Sequence, residues 1–274
     1  MNKEKKALLI GAVLVLVVII LTIGRSLSNR EEGNSSVLSQ KDSPLQLLST
    51  SELQNLLWKD KENILLVDIR SSDAFVTEHI ADSFSVPLDQ LTGNSFSAFG
   101  GKKIVIVTNA DSIKGGVADI ISQRIGRDVM QEKNVMLLNG GIEAWFGSTG
   151  QVVTAGDPQS FVDQSKIVAI KPEILYAQLF GTENPARSVA IVDVREEQSF
   201  LKAHIPGAQN IPLSSIERQR EKIAAVAYIV VYGETNTDGF QAGVKLFDLN
   251  FFSVTVLDGG FTTWLEKGYP QEAS

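Results

Sequence analysis

The feature that most constrains this chain is an internal repeat. The string Leu66-Val67-Asp68-Ile69-Arg70 returns as Ile191-Val192-Asp193-Val194-Arg195, an offset of 125 residues. Further landmarks keep step. His79 follows Asp68 by 11 residues and Pro87 comes 8 later; from Asp193 the same steps reach His204 and Pro212, and these are the chain's only two histidines. Each copy then arrives at a Gly-Gly pair with a tryptophan four residues beyond it, Gly140-Gly141 with Trp145 and Gly259-Gly260 with Trp264. One module written twice is the simplest explanation. The offset between the Gly-Gly pairs is 119, which places about six additional residues in the first copy, within residues 127–134.

With 274 residues the chain can supply two domains, each large enough to bury its own core. The local patterns support α/β domains. Residues 64–69, 104–108, 135–138, 189–194, 228–232 and 253–257 are short apolar, β-favouring runs of the kind buried on both faces of a parallel sheet. Helical periodicity lies between them, as in residues 116–124 and 241–249. Ser49 and Glu52 have capping-box spacing ahead of Leu53, Leu56 and Leu57, and Pro172 suits the first turn of a helix whose buried stripe is Leu175 and Leu179.

Residues 7–24 carry no charge over 18 positions and are rich in Leu, Val and Ile, so they are expected to cross a bilayer as one retained helix. Lys3, Lys5 and Lys6 precede the span while Arg25 and Arg30 follow it, which favours a cytoplasmic N-terminus and soluble domains on the extracytoplasmic side. The expected organisation is an anchor at 1–25, a Ser-rich flexible tether at 26–44, a first domain at 45–150, a linker at 151–165 and a second domain at 166–274.

Composition excludes several functions. There is no cysteine, so disulfides, thiolate metal sites and thiol catalysis are all unavailable. Beyond residue 30, 20 Lys and Arg face 31 Asp and Glu, a net charge of about −11 that would repel a phosphate backbone, so nucleic acid is not an expected partner.

The ordered series Val67-Asp68-Ile69-Arg70, Phe75, Glu78-His79-Ile80, Val86-Pro87-Leu88 and Asn139-Gly140-Gly141 with Trp145 resembles a rhodanese domain. The second copy resembles it more closely, through Asp193-Val194-Arg195, Phe200, His204-Ile205-Pro206-Gly207-Ala208, Asn210-Ile211-Pro212 and Asp258-Gly259-Gly260-Phe261 with Trp264. The resemblance implies two domains, each a mainly parallel five-stranded sheet flanked by helices, here preceded by one transmembrane helix. It also implies a nucleophilic cysteine at the end of the central strand, carrying sulfur as a persulfide above a loop of anion-binding amides.

This chain departs from that pattern at its chemical centre. Thr108 stands at the expected cysteine position of the first copy and Gly233 at that of the second. A threonine without an adjacent base is a poor nucleophile. The loops that follow contain Asn109, Asp111, Ser112 and Lys114 in one copy and Glu234, Thr235, Asn236 and Asp238 in the other; they form a possible pocket for a small anion or solute. His79 and His204 are expected to hydrogen-bond the chain within a turn, since one histidine per domain is too few for a metal site. The pairs Asp68 with Arg70 and Asp193 with Arg195 are expected to tie loops together. No cofactor or metal is expected. The resulting expectation is a catalytically silent, membrane-anchored scaffold whose partner is a membrane protein or membrane-associated complex. The alternatives are a small-anion sensor and a sulfurtransferase completed by a partner's thiol.

Overall fold

The computed structural model describes residues 45–148, 150–181, 189–224 and 228–273. The expected anchor and tether lie outside these residues, and among the described residues no helix is long and apolar enough to cross a membrane. The first copy contributes strands β1 (Gln46–Leu48), β2 (Ile64–Asp68), β3 (Glu78–Ile80), β4 (Phe84–Ser85), β5 (Lys103–Val107), β6 (Val135–Leu138) and β7 (Val152–Thr154). The second contributes β8 (Val168–Ile170), β9 (Val189–Asp193), β10 (Ala208–Asn210), β11 (Tyr228–Tyr232) and β12 (Val254–Leu257).

Two five-stranded sheets result, with orders β1-β6-β5-β2-β4 and β8-β12-β11-β9-β10. Every pairing within them is parallel, and the two orders are the same once the repeat is allowed for. The central strands explain why the apolar runs are continuous. Along β5, Ile104 and Ile106 face one core cluster while Val105 and Val107 face another. Along β11, Ile229 and Val231 face one and Val230 and Tyr232 the other. Alternate side chains point to opposite faces of a strand, so a sheet covered by helices on both sides needs apolar residues at every position.

The six strands anticipated from those runs are present with bounds within one residue. The capping box is also present: Ser49 accepts from the Glu52 amide and the Glu52 side chain accepts from the Ser49 amide, opening the helix Thr50–Asp60. Pro172 begins the helix Pro172–Phe180, and Leu175 is fully buried beneath it. The additional residues of the first copy form the short helix Arg127–Glu132, between the helix Val117–Ile125 and β6.

The segment expected as linker, 151–165, carries structure of its own. Its strand β7 pairs antiparallel with β3, placing Val153 opposite His79, and the helix Phe161–Lys166 begins before it ends. Strands of three residues without an apolar run leave little periodicity to read. Asp248 of the second copy then fastens this segment. It accepts from the Thr154 amide and hydroxyl at 3.1 and 2.7 Å and pairs with Lys166 at 2.8 Å.

A second joint links the copies directly. Asp82 pairs in bidentate fashion with Arg220, at 2.7 and 2.8 Å, and with Lys61 at 2.7 Å. Glu217 reaches back to His79 Nε2 at 2.9 Å and accepts the Asp82 amide at 2.7 Å. Burial pushes both carboxyls up, but for Asp82 the Arg220 and Lys61 partners outweigh it, and for Glu217 the His79 partner and the Asp82 amide do; both end below the ordinary carboxylate range.

Groups with lowered folded pKa values contribute stability above their unfolded values and lose it as pH falls through the folded ones. The joint is therefore expected to weaken below about pH 4. Thermal unfolding followed from pH 7 to pH 3 should show a steeper acid loss for the wild type than for Glu217→Gln, whose side chain cannot titrate; parallel profiles would contradict this.

Candidate functional site

The carboxyl ends of the central strands, where an open parallel sheet presents its loops, hold Thr108 and Gly233. Thr108 is buried, and its carbonyl accepts the Ile142 amide at 2.9 Å. A Cβ on Gly141 would strike that same carbonyl and the Ala110 amide nitrogen, and Gly141 holds a φ of 64° that L side chains rarely adopt. The Gly-Gly pair thus exists so that the helix Gly141–Gly147 can lie against the loop.

The first loop is closed by its own chain. Beyond Asn109 a short helix, Ala110–Lys114, begins, and its leading amide, Ala110 N–H, donates to the Glu143 carboxylate at 2.9 Å. An anion seated on that amide would have to displace Glu143. Lys114 lies exposed and pairs with its own neighbour Asp111 at 3.4 Å, while Ser112 is half-buried within the same helix. Among the described residues no base is hydrogen-bonded to the Thr108 hydroxyl, the contact that activates a threonine nucleophile.

The second loop is closed differently. The Gly233 carbonyl accepts the Phe261 amide at 2.9 Å, and the Glu234 carbonyl accepts the Thr262 amide and hydroxyl at 3.1 and 2.9 Å. The Glu234 carboxylate turns inward to Arg195 Nη1 at 3.1 Å. Thr235 precedes the helix Asn236–Asp248, and Asn236 Oδ1 accepts the Gly259 amide. Asp238 presses against Gly233, where any added Cβ would meet the Asp238 Cβ.

The paired charges sit just behind the loops. Asp68 and Asp193 are fully buried, and each takes Arg70 or Arg195 through Nε and Nη2, the latter at 2.7 Å in both copies. Nη2 then donates onward at 2.6 Å to the carbonyl just before the histidine, Glu78 in one copy and Ala203 in the other. Each histidine stacks on a phenylalanine ring, His79 on Phe75 at 4.0 Å and His204 on Phe200 at 3.8 Å, and Nδ1 bonds that phenylalanine's carbonyl. Arg195 also lies over the Phe261 ring at 3.9 Å.

The structure brings Asp68, Arg70 and His79 into one continuous bonded set, and likewise Asp193, Arg195, His204 and Glu234. Asp111 and Lys114 stay at the surface. Residues that sequence reasoning did not reach include Glu143, Glu217, Asp82, Arg220 and Glu272. Glu143, in the first turn after the Gly-Gly pair, and Asp82, three residues after His79, stand near motifs. Among the described residues no group of three or more His, Cys, Asp or Glu could hold a metal ion. A groove of about 510 Å³ lies at the opposite ends of the strands, lined by Leu57, Trp58, Phe84, Phe99 and Arg220. A smaller cavity of about 340 Å³ adjoins Asn236 and Asp258.

A family model described as Rhodanese-like domain matches residues 49–148 and again residues 172–267. The chain is similar to the uncharacterized protein YqhL of Bacillus subtilis (strain 168), 31% identical over 78 residues, which cover 28% of this chain and 62% of that protein, less than two thirds of its length. It is also similar to thiosulfate sulfurtransferase GlpE of Coxiella burnetii (strain RSA 331 / Henzerling II), 28% identical over 28% of this chain and 73% of that one. Among solved structures, thiosulfate sulfurtransferase from Pseudomonas aeruginosa matches with a TM-score of 0.42 and 18% identity, covering 84% of this chain and 44% of that chain.

Thiol insertion tests the two loops. Thr108→Cys replaces a residue that already carries a Cβ, whereas Gly233→Cys drives one into Asp238, so the first should unfold like the wild type and the second should lose about 1–3 kcal/mol. Adding Glu143→Ala to Thr108→Cys frees the Ala110 amide and removes a nearby carboxylate, so the thiol pKa read from the pH dependence of alkylation should fall. Equal stability of the two cysteine variants, or a pKa unmoved by Glu143→Ala, would refute the corresponding half.

Proposed function

The chain belongs to the rhodanese-like domain family, and on that premise we propose that it is a membrane-anchored tandem pair that binds protein partners and transfers no sulfur. One observation carries this reading: with no cysteine in 274 residues, the rhodanese nucleophile is missing from both copies, its positions taken by Thr108 and Gly233. The surroundings agree. Glu143 engages the leading amide of the first loop, and Glu234 brings a carboxylate to the mouth of the second. An active persulfide site requires free donors and positive potential at that point. The same two carboxylates disfavour a small-anion sensor. A thiol supplied by a partner would meet the buried Thr108 and not an open pocket. The sulfur transfer named for GlpE is a property of that protein.

What remains is a pair of intact cores presented on a membrane tether, and a fold without its chemistry serves as a surface. Residues 7–24 supply the anchor, and the excess of lysines ahead of them sets the domains on the extracytoplasmic side. The partner is therefore sought among proteins in or beside that membrane.

Full-length protein given thiosulfate and cyanide should form thiocyanate no faster than the buffer does; turnover abolished by Thr108→Val would overturn the silent reading. The chain should stay in the pellet through alkaline carbonate extraction, and protease added to spheroplasts should digest the domains; release by carbonate, or protection from protease, would refute the anchor or its orientation. Crosslinking in native membranes should recover a membrane-protein partner.

A further inference from the structure

Each copy contains a small receptor for a carboxylate, and the two copies fill it from different sources. In the first, His79 Nε2 and the Asp82 amide, three residues on, converge on the Glu217 carboxylate at 2.9 and 2.7 Å. In the second, His204 Nε2 and the Gly207 amide, again three residues on, converge on the Glu272 carboxylate at 3.3 and 2.9 Å. The construction is otherwise the same. Nδ1 of each ring faces a phenylalanine carbonyl, which leaves Nε2 directed at the carboxylate. Asp82 and Gly207 both hold positive φ, 65° and 77°, the conformation that turns their amides toward the histidine.

The occupants differ in strength. Glu217 comes from the opposite domain, uses one oxygen for each donor and has a side chain only 17% exposed. Glu272 belongs to the domain's own terminal segment, accepts the Gly207 amide with one oxygen, holds that same oxygen at ion-pair distance from His204 Nε2 and is 50% exposed. Its backbone forms an isolated bridge with His204, which is the position Val153 occupies opposite His79 in the first copy. Where the local residue has no carboxylate, the socket is filled by a neighbouring domain and becomes a joint.

We propose that the His204–Gly207 socket of the second domain is a docking site for an aspartate or glutamate on the surface of a partner protein, with Glu272 as an intramolecular occupant that the partner displaces. This rests on the reading of the chain as a protein-binding pair and names the chemistry of one contact. Equivalence with the existing joint is the argument, since the matching positions of the first copy already receive a carboxylate across an interface. One difference sets specificity. Asp82, which draws in Arg220 and Lys61, is replaced by Gly207, so the carboxylate that the second socket receives needs no arginine beside it.

The chain has only two histidines, so its imidazole NMR spectrum reports both sockets at once. The probe is a synthetic peptide of residues 212–224, which carries Glu217. Titrated into full-length Glu272→Ala protein in detergent, it should shift the His204 ring resonances and leave those of His79, while a peptide with Glu217→Ala and Glu221→Ala should shift neither. Wild-type protein should need on the order of tenfold more peptide, because Glu272 competes at the high effective concentration of a tethered group. Glu272→Gln, which keeps the backbone bridge, guards against misfolding, and unchanged His79 signals show that the fold is intact. No movement of His204 in either variant, or movement of His79 alone, overturns the socket. Partner recovery by crosslinking separates the two proposals: capture that persists in His204→Ala counts against the socket and leaves the protein-binding reading standing, whereas no capture by the wild type counts against that reading and leaves the titration to decide the socket.

Discussion

The buried pairs Asp68 with Arg70 and Asp193 with Arg195 organise everything at the working end of both sheets. Burying two ions costs several kcal/mol each unless their geometry is close to ideal, and either one alone would be left uncompensated at about 3–5 kcal/mol. Here each aspartate takes the guanidinium through two nitrogens and also accepts the arginine's own amide, at 3.0 Å in one copy and 2.9 Å in the other. Nη2 uses its second N–H to reach the carbonyl just before the histidine. Strand end and histidine turn are thereby fixed to one another. The imidazole, held further by its phenylalanine, turns Nε2 toward a carboxylate, Glu217 in one copy and Glu272 in the other.

That chain of constraint gives the Val-Asp-x-Arg string a structural task in both copies. It shapes the ends of β2 and β9, while the positions that would carry chemistry lie on the adjacent strands, one residue beyond β5 and β11. There the chain has filled the space with its own groups. The Gly-Gly helix packs on the loop carbonyls in both copies, Glu143 holds the first loop and the Arg195 to Glu234 contact holds the second.

Much of this architecture was legible in the sequence. Apolar runs between polar stretches marked six central strands, since burial on both faces requires an apolar residue at every position, and the landmarks marked the repeat. The edge strands β1, β4, β8 and β10 were not legible, being two or three residues long and covered on fewer sides. That no cysteine stands at Thr108, at Gly233 or elsewhere could be read directly. What closes those positions could not, because the contact from Glu143 to Ala110 spans 33 residues and the contact from Glu217 to His79 spans 138. Such pairings follow from packing, and no local period announces them.

The repeat is also less symmetric than its motifs suggest, and the differences all favour one direction of dependence. In the second domain Asn210 donates to the carbonyls of Asp193 and Arg195, whereas Ser85, at the matching register, is too short and its buried hydroxyl has no partner. The second domain fills its own histidine socket with Glu272, whereas the first, with Val153 there, must borrow Glu217. Asp82 then takes Arg220 from the same neighbour, with Lys61 as its cation from the home domain among the described residues. The second domain carries its polar contacts within itself and leaves one of them, at Glu272, loosely held. The first domain is complete only when the second is docked against it. Two copies of one fold have thus become a dependent domain and a self-sufficient one, and the loosely held contact lies on the self-sufficient member, where exchanging it for a partner's carboxylate leaves the joint between the domains untouched.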